Sequence, residues 1–173
     1  MAVEVELGAY IYDPHCEVFS HNPLHDIESL WWVGIWFLLC HYEHSIFGVG
    51  AVQKHVKVVK KFSQTLFNNR TDSLRRSALT GKSVLLANAN PRHFPSPMQR
   101  LLLMLDNFRV QLITYYITYK PSETRDRSFF TPDVHREFAD IVEQGIKASR
   151  NDDCVLWPMD YIETHITSLN AKK

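Results

Sequence analysis

The fold is decided by residues 25–40, which read HDIESLWWVGIWFLLC. Asp26 and Glu28 lie in the first turn of the helix that this stretch predicts, where the partial positive charge of a helix N-terminus stabilises acidic side chains. From Leu30 onward, apolar residues lie on every side of that helix, a pattern typical of a helix in the middle of a core. We therefore predict a helix that opens at His25 or Asp26 and is surrounded by its neighbours.

The composition is that of a folded, soluble domain. The chain has 173 residues, with 19 Lys and Arg against 19 Asp and Glu, 45% apolar residues and 22% charged residues. Intrinsic disorder is excluded because it requires few apolar residues and a large net charge. Binding of nucleic acid is not expected, because affinity for a phosphate backbone requires an excess of cations.

The expected compartment is intracellular, either cytoplasmic or nuclear. Cys16, Cys40 and Cys154 form neither a disulfide framework nor a C-x-x-C motif, which favours a reducing environment. Residues 1–6 contain two acids and no basic residue, unlike a secretory signal. The longest apolar run, from Leu30 to Cys40, has 11 residues, whereas a membrane-spanning helix needs about 20. No membrane span is expected.

Further helices follow from periodicity and capping residues. Residues 53–67 predict a second helix, and Thr71 or Asp72 caps a third helix that Gly81 ends. Ser96, followed by a proline, caps a long helix that continues to Tyr119.

The last long helix begins at residues 131–133, which read Thr-Pro-Asp. Its apolar face is predicted to contain Val134, Phe138, Ile141, Val142 and Gly145. Because no alternating strand pattern is longer than a few residues, the predicted fold class is all-α.

Residues 81–83, which read Gly-Lys-Ser, match the end of a phosphate-binding loop. That loop requires a glycine five residues before its Gly-Lys pair, because the backbone must wrap the phosphates there. Arg76 occupies that position and no strand precedes it. The sequence therefore predicts the end of a helix here and no nucleotide site.

Nine histidines raise the question of a metal site. His41 and His44 are three residues apart, and a second group lies in the loop before the central helix: His15, Cys16, His21 and His25. A zinc site requires three or four converging ligands, and no H-E-x-x-H or paired C-x-x-C motif fixes such a set. We expect no metal, and no Ser-His-Asp set marks a catalytic centre.

Four lysines share one side of the predicted second helix: Lys54, Lys57, Lys60 and Lys61. This basic face could bind an acidic protein partner or phosphate groups. At zero net charge, a solvated face is the more common outcome. Both interpretations stay open.

Two segments resemble protein kinase motifs. Residues 1–7, MAVEVEL, are similar to the M-A-P-E-V-L sequence that ends the kinase activation segment, with Val3 in place of the usual proline. About twenty residues later, residues 25–30, HDIESL, resemble the D-x-W-S-L-G start of kinase helix αF. The sequence of residues 25–36 most resembles that of the fungal-type protein kinase family, in which an H-D-L-E-S-F sequence begins this helix.

The resemblance implies structural roles for two acids. Glu4 matches the glutamate that pairs with an arginine near the C-terminal helices, for which Arg100, Arg109 and Arg127 are the candidates. Asp26 matches the αF aspartate, whose carboxylate accepts hydrogen bonds from the backbone of the catalytic loop. That role supports an active site and performs no chemistry.

The resemblance also implies an organisation, in which residues 1–173 are the helical C-terminal part of a kinase-like C-lobe. Residues 1–24 would be the end of the activation segment and a loop, and residues 25–42 the buried, αF-like central helix. Residues 50–148 would be the later helices of the lobe, and residues 149–173 a C-terminal extension.

The implied activity is ATP-dependent protein phosphorylation. It requires a glycine-rich loop, a strand lysine, an H-R-D catalytic loop and a metal-binding D-F-G motif. These elements precede the motif at Glu4, and no H-R-D or D-F-G occurs after it. We therefore expect ATP and Mg²⁺ to bind only a complete family domain and this chain, whether part of an active kinase or a pseudokinase, to be inactive alone. The alternative is a non-catalytic helical protein-interaction module.

Self-association is a further expectation. A helix like residues 25–42 packs in the family partly against elements that lie outside this chain. Four large side chains are then at risk of exposure: Trp31, Trp32, Trp36 and Phe37. Leaving three of them in water would cost on the order of 5 kcal/mol, comparable with the stability of a whole domain. We expect this surface to bind a protein partner or a second copy of the chain.

Overall fold

A computed structural model describes residues 2–43, 57, 59–61, 63–64, 66–67, 72–81, 96–119, 132–149 and 156–158. Most of these residues are helical, which confirms the predicted all-α class. The elements with defined bounds are α1 (Val3–Leu7), α2 (Pro23–Cys40), β1 (His41–Glu43), α3 (Asp72–Thr80), α4 (Ser96–Thr118), α5 (Pro132–Ser149) and β2 (Leu156–Pro158). The described residues between 57 and 67 are also helical, as the second predicted helix requires.

Helix α2 begins before the predicted start at His25 or Asp26, which is therefore wrong. Asn22 is the N-cap: its Oδ1 accepts a hydrogen bond from the amide of Leu24 at 2.9 Å. The amide of Asn22 in turn donates to Nδ1 of His25 at 3.1 Å, so the side chain of His25 completes a capping box. Pro23 suits the first helical position, where its missing N–H has no partner to lose.

A short strand pair follows α2, where residues 41 and 42 were expected to continue the helix. Strand β1 pairs with β2 in antiparallel register, with His41 opposite Pro158 and Glu43 opposite Leu156. The predicted helix end at residue 42 is therefore wrong, because the backbone becomes extended at His41. Each strand has three residues, in keeping with a sequence that shows no long alternating pattern.

Helices α2, α4 and α5 form the centre of the described fold. The indole N–H of Trp31 on α2 donates to the carbonyl of Leu105 on α4 at 2.8 Å. A Cβ atom on Gly34 would lie 2.6 Å from Cδ2 of Leu105, so the two helices approach closely because position 34 is glycine. On the other side of α4, the rings of Phe108 and Phe138 pack with centroids 4.6 Å apart.

The predicted apolar face of α5 is confirmed. Val134 and Phe138 are buried, and Ile141 and Val142 pack against the same core. A Cβ atom on Gly145 would overlap the side chain of Met104, so this glycine also permits close contact with α4.

Among the described residues, one side of α2 carries exposed side chains, whereas the sequence predicts neighbours on every side. Trp31 and Trp32 are buried, but Leu30 is 67% exposed, Val33 61%, Trp36 48% and Phe37 38%. Its buried apolar residues belong to the core that α2 shares with the helices packed against it. Three of the exposed residues share one side of the helix with Asp26, because the positions 26, 30, 33 and 37 are separated by four, three and four residues. We call this surface, with Trp36 at its edge, the open face of α2.

The end of α3 is held by a side chain from α4. Nη1 of Arg109 donates to the carbonyls of Leu79 and Gly81 at 3.0 and 2.7 Å, and its Nε donates to Asp106 at 2.9 Å. These carbonyls lack partners within the helix, so the guanidinium satisfies them. The helix end predicted at Gly81 is confirmed, and Lys82 and Ser83 lie outside the described residues.

Replacing Arg109 with alanine should lower the free energy of unfolding by about 2 kcal/mol, because it leaves two carbonyls at the end of α3 without their charged donor. Urea unfolding followed by circular dichroism measures this loss. The matched control is Arg136→Ala, which removes an exposed ion pair with Asp133 at 3.1 Å and should cost less than about 0.5 kcal/mol. Equal losses in the two variants would contradict the capping role.

Candidate functional site

Two glutamates are buried where α1 meets the first turns of α2. Glu4 lies on α1 and Glu28 on α2, and both are almost completely enclosed together with His25 and Tyr116. Acidic side chains are seldom fully buried unless they are paired. We call these four polar residues the buried cluster.

Glu28 joins three helices. Its Oε1 accepts from the amide of Val3 at 2.7 Å and from the indole N–H of Trp32 at 2.8 Å. Its Oε2 accepts from the hydroxyl of Tyr116 on α4 at 2.6 Å. One side chain therefore binds α1 and α4 to α2.

The two groups of this contact have shifted pKa values. Burial raises the pKa of Glu28, and the hydrogen bonds from Tyr116, Trp32 and Val3 act in the opposite direction without cancelling the rise. Burial and the neighbouring Glu28 carboxylate raise the pKa of Tyr116 as well. The phenol therefore stays protonated and donates to the acid.

Glu4 is bound by two groups. Its Oε1 accepts from the amide of Ile11 at 2.7 Å, and its Oε2 lies 2.9 Å from Nε2 of His25. Because Nδ1 of His25 accepts from the amide of Asn22, the ring proton is on Nε2 and is donated to Glu4. The ring of Phe19 stacks against His25 with centroids 5.3 Å apart, which closes this side of the cluster.

The hydrogen bonds of the buried cluster stabilise the fold. Its side chains satisfy one another and main-chain donors, and none is accessible to a substrate. A general acid or base must come within hydrogen-bond distance of the group on which it acts. The arrangement therefore holds α1 and the following loop against the start of α2.

The Glu28→Gln variant should change how stability depends on pH. A carboxyl group whose pKa is raised in the folded state contributes stability below its ordinary value of 4.5, and this contribution is lost as the pH rises through the raised value. The free energy of unfolding of the wild type, minus that of Glu28→Gln, should therefore fall as the pH rises above 4.5. Urea unfolding at one-unit intervals measures it. A difference that increases with pH would show that the three donors lower the pKa of Glu28.

The two acids that the resemblance assigns to kinase motifs lie in different environments, one buried and one exposed. Glu4 is buried, but its partner is His25 and not an arginine. Of the candidate arginines, Arg109 binds the end of α3, Arg100 is exposed on α4, and Arg127 lies outside the described residues. Asp26 is on the surface, with Oδ1 3.5 Å from Nε2 of His21.

The basic face is described in part. Lys57, Lys60 and Lys61 are exposed, and Lys54 lies outside the described residues. Lys60 and Lys61 each have an interaction partner within the chain. The structure therefore leaves the two interpretations of this face open.

The described residues include no group of three or more His, Cys, Asp or Glu side chains that could hold a metal ion. Sγ of Cys16 is 3.5 Å from the carbonyl of Val18, and Nδ1 of His41 donates to the carbonyl of Phe37 at 2.9 Å. His15 is exposed, and His44 and Cys154 lie outside the part of the chain that is described. Over that same part, no helix is both long enough and apolar enough to cross a membrane.

Sequence reasoning missed the central role of Glu28. Its position in the first turn of the predicted helix suggested only an acid that interacts with the helix dipole. Nothing in the local sequence indicates that Tyr116, 88 positions away, donates to it. The cap was detectable, because Asn22 followed by Pro23 is a common helix start.

We compared the chain with protein-family models, curated proteins and solved structures, and none of them matches it.

Proposed function

We propose that this chain is the C-terminal, helical part of a fungal-type protein-kinase-like domain, where it supports a catalytic loop contributed by another part of that domain. The chain alone performs no phosphoryl transfer. ATP and Mg²⁺ would bind the remaining part of the domain. One observation carries this proposal: the open face of α2 begins with the acid that the resemblance assigns to the catalytic loop.

The arrangement on the open face is suited to binding a segment of main chain. The side chain of Asp26 is 75% exposed at the start of the face, and its carboxylate has acceptor sites beyond its contact with His21. Leu30, Val33 and Phe37 continue from it along the same side of the helix. A segment packed there would bury apolar groups on the helix and donate backbone N–H groups to Asp26.

The packing of α1 supports the same proposal. The two segments that resemble kinase motifs are in contact, because Val3 donates to Glu28 and Glu4 accepts from His25. The motif segment thus lies against the start of the αF-like helix. The histidine partner of Glu4 is a departure from the arginine pairing of the family.

Two experiments test the proposal: sequencing of the mature transcript, and a phosphorylation assay of the longer product. The mature transcript should carry codons for H-R-D and D-F-G motifs in frame upstream of Met1, and the longer product should phosphorylate a generic substrate such as myelin basic protein. Asp26→Ala should abolish that activity, whereas Asp133→Ala, an exposed acid on α5, should leave it unchanged. A transcript without these motifs, or equal activity of the two variants, would contradict the proposal.

A helical protein-interaction module is the second candidate. It is based on the lysines of one helical segment, of which Lys57 is exposed, because clustered cations attract acidic partners. This function would require a stable, monomeric 1–173 chain with a cooperative melt. It would also require a partner whose binding weakens on Lys57→Glu and is unaffected by Asp26→Ala.

A further inference from the structure

Strand β2 leads the chain to one end of the open face of α2. Because β1 and β2 are antiparallel, His41 at the start of β1 lies opposite Pro158 at the end of β2. The ring of His41 stacks on that of Phe37, a residue of the open face, with centroids 4.1 Å apart. The chain therefore leaves β2 beside the C-terminal end of α2 and next to the open face. The residues that follow, 159–173, lie outside the described residues, and we call them the C-terminal segment.

The sequence of the C-terminal segment, MDYIETHITSLNAKK, is typical of a short amphipathic helix. Asp160, followed three residues later by Glu163, forms a capping-box pattern at its start. The two lysines at its end suit the negative end of a helix dipole. The apolar residues between these ends are four and three positions apart, so they share one side of the helix. They are Ile162, Ile166 and Leu169.

The open face and the C-terminal segment have the same spacing in opposite directions. Read backward from the end of α2, the open face presents, at steps of four, three and four, Phe37, Val33, Leu30 and Asp26. Read forward from β2, the C-terminal segment presents, at the same steps, Ile162, Ile166, Leu169 and Lys173. An antiparallel pair that starts from His41 opposite Pro158 therefore places apolar residues beside one another. It also places Lys173 beside the carboxylate of Asp26.

We infer that the C-terminal segment forms a helix that lies antiparallel to α2 and covers its open face. Burial of the apolar side chains on both helices stabilises this contact. The opposite charges of Asp26 and Lys173 fix its register. Because the segment is joined to β2, its effective concentration at the face is high, so the contact needs less buried area than the association of two separate chains. Trp36 stays at the edge of the contact.

This inference goes beyond the proposed function and does not depend on it. In a longer product, the C-terminal segment and a catalytic-loop segment would compete for the same face. Cross-linking within the 1–173 chain measures the first contact, and phosphorylation by the longer product measures the second. Either result can fail while the other holds.

Disulfide cross-linking of the 1–173 chain tests the inferred register. Val33→Cys and Ile166→Cys are combined in a chain whose three native cysteines are replaced with alanine. Under mild oxidation these two positions should form a disulfide within one chain, because facing residues come within the roughly 6 Å that a disulfide spans between Cα atoms. The matched control combines Ile166→Cys with Val110→Cys, a similarly exposed position on α4, and should not cross-link. Non-reducing gel electrophoresis separates the products. No disulfide between positions 33 and 166, or one that joins two chains, would overturn the inference.

Amide hydrogen exchange supplies a second measurement that needs no added cysteine. In the wild type, the amides of residues 161–169 should be protected, although an isolated helix of this length is marginal in water. Val33→Asp should lower that protection at least about tenfold, because it places a charge beside Ile166. Val110→Asp, the same change on α4, should leave it unchanged. Unprotected amides in the wild type, or equal protection in the two variants, would exclude the contact.

Discussion

Replacing Trp31 with alanine should lower the free energy of unfolding by about 4 kcal/mol, a large part of the stability of a domain of this size. Trp31 is only 1% exposed, and its ring packs on that of Trp32 with centroids 4.6 Å apart. Its indole also donates to the carbonyl of Leu105, so the change opens a cavity and removes a hydrogen bond that joins α2 to α4. Urea unfolding followed by far-ultraviolet circular dichroism measures the loss.

Trp36→Ala is the matched control for this prediction. It makes the same change on the same helix, but its ring is 48% exposed, so the expected loss is below about 1 kcal/mol. A loss at Trp36 as large as that at Trp31 would mean that its ring is enclosed as well.

Replacing Glu28 with alanine should lower the free energy of unfolding by about 3 kcal/mol. The carboxylate is fully buried, and its removal leaves three donors unsatisfied: the amide of Val3, the indole of Trp32 and the hydroxyl of Tyr116. Buried donors without partners carry their full desolvation cost. The loss is measured by urea unfolding at neutral pH.

Two further variants serve as controls for Glu28→Ala. Glu137→Ala removes a carboxylate that accepts from Tyr115 and Gln111 on the surface, and it should cost less than about 1 kcal/mol. Glu28→Gln keeps the side-chain volume and one carbonyl acceptor, so it should cost less than Glu28→Ala. If Glu28→Ala were no more harmful than Glu137→Ala, the buried cluster would not hold α1 to the core.

Much of the secondary structure follows from the sequence. The starts of α4 at Ser96 and α5 at Pro132 agree with their capping sequences, and α3 ends where Gly81 predicts. Local patterns are sufficient there because a capping residue acts within one turn of its own helix. At α2, the acids of the first turn drew the predicted start toward Asp26, although Asn22 supplies the cap.

The candidate site was harder to predict, because its contacts join distant residues. Periodicity identified α2 as unusually apolar, but an apolar residue on every side does not reveal which side lacks a neighbour. The exposure of Val33 and the burial of Trp31, two positions away, are set by where α4 packs. The burial of Glu28 likewise depends on Tyr116, which no local pattern connects to it.

The contact between Val3 and Glu28 ties the opening of α1 to the opening of the core. A five-residue helix such as α1 would ordinarily fray within the native state and exchange its amide hydrogens early. The amides of Val3 and Ile11 instead donate to enclosed carboxylates, and one of these acids is also bound by Tyr116. Deuterium should therefore reach these two amides only when α2 and α4 separate. The segment with the fewest helical turns thus belongs to the same cooperative unit as the core.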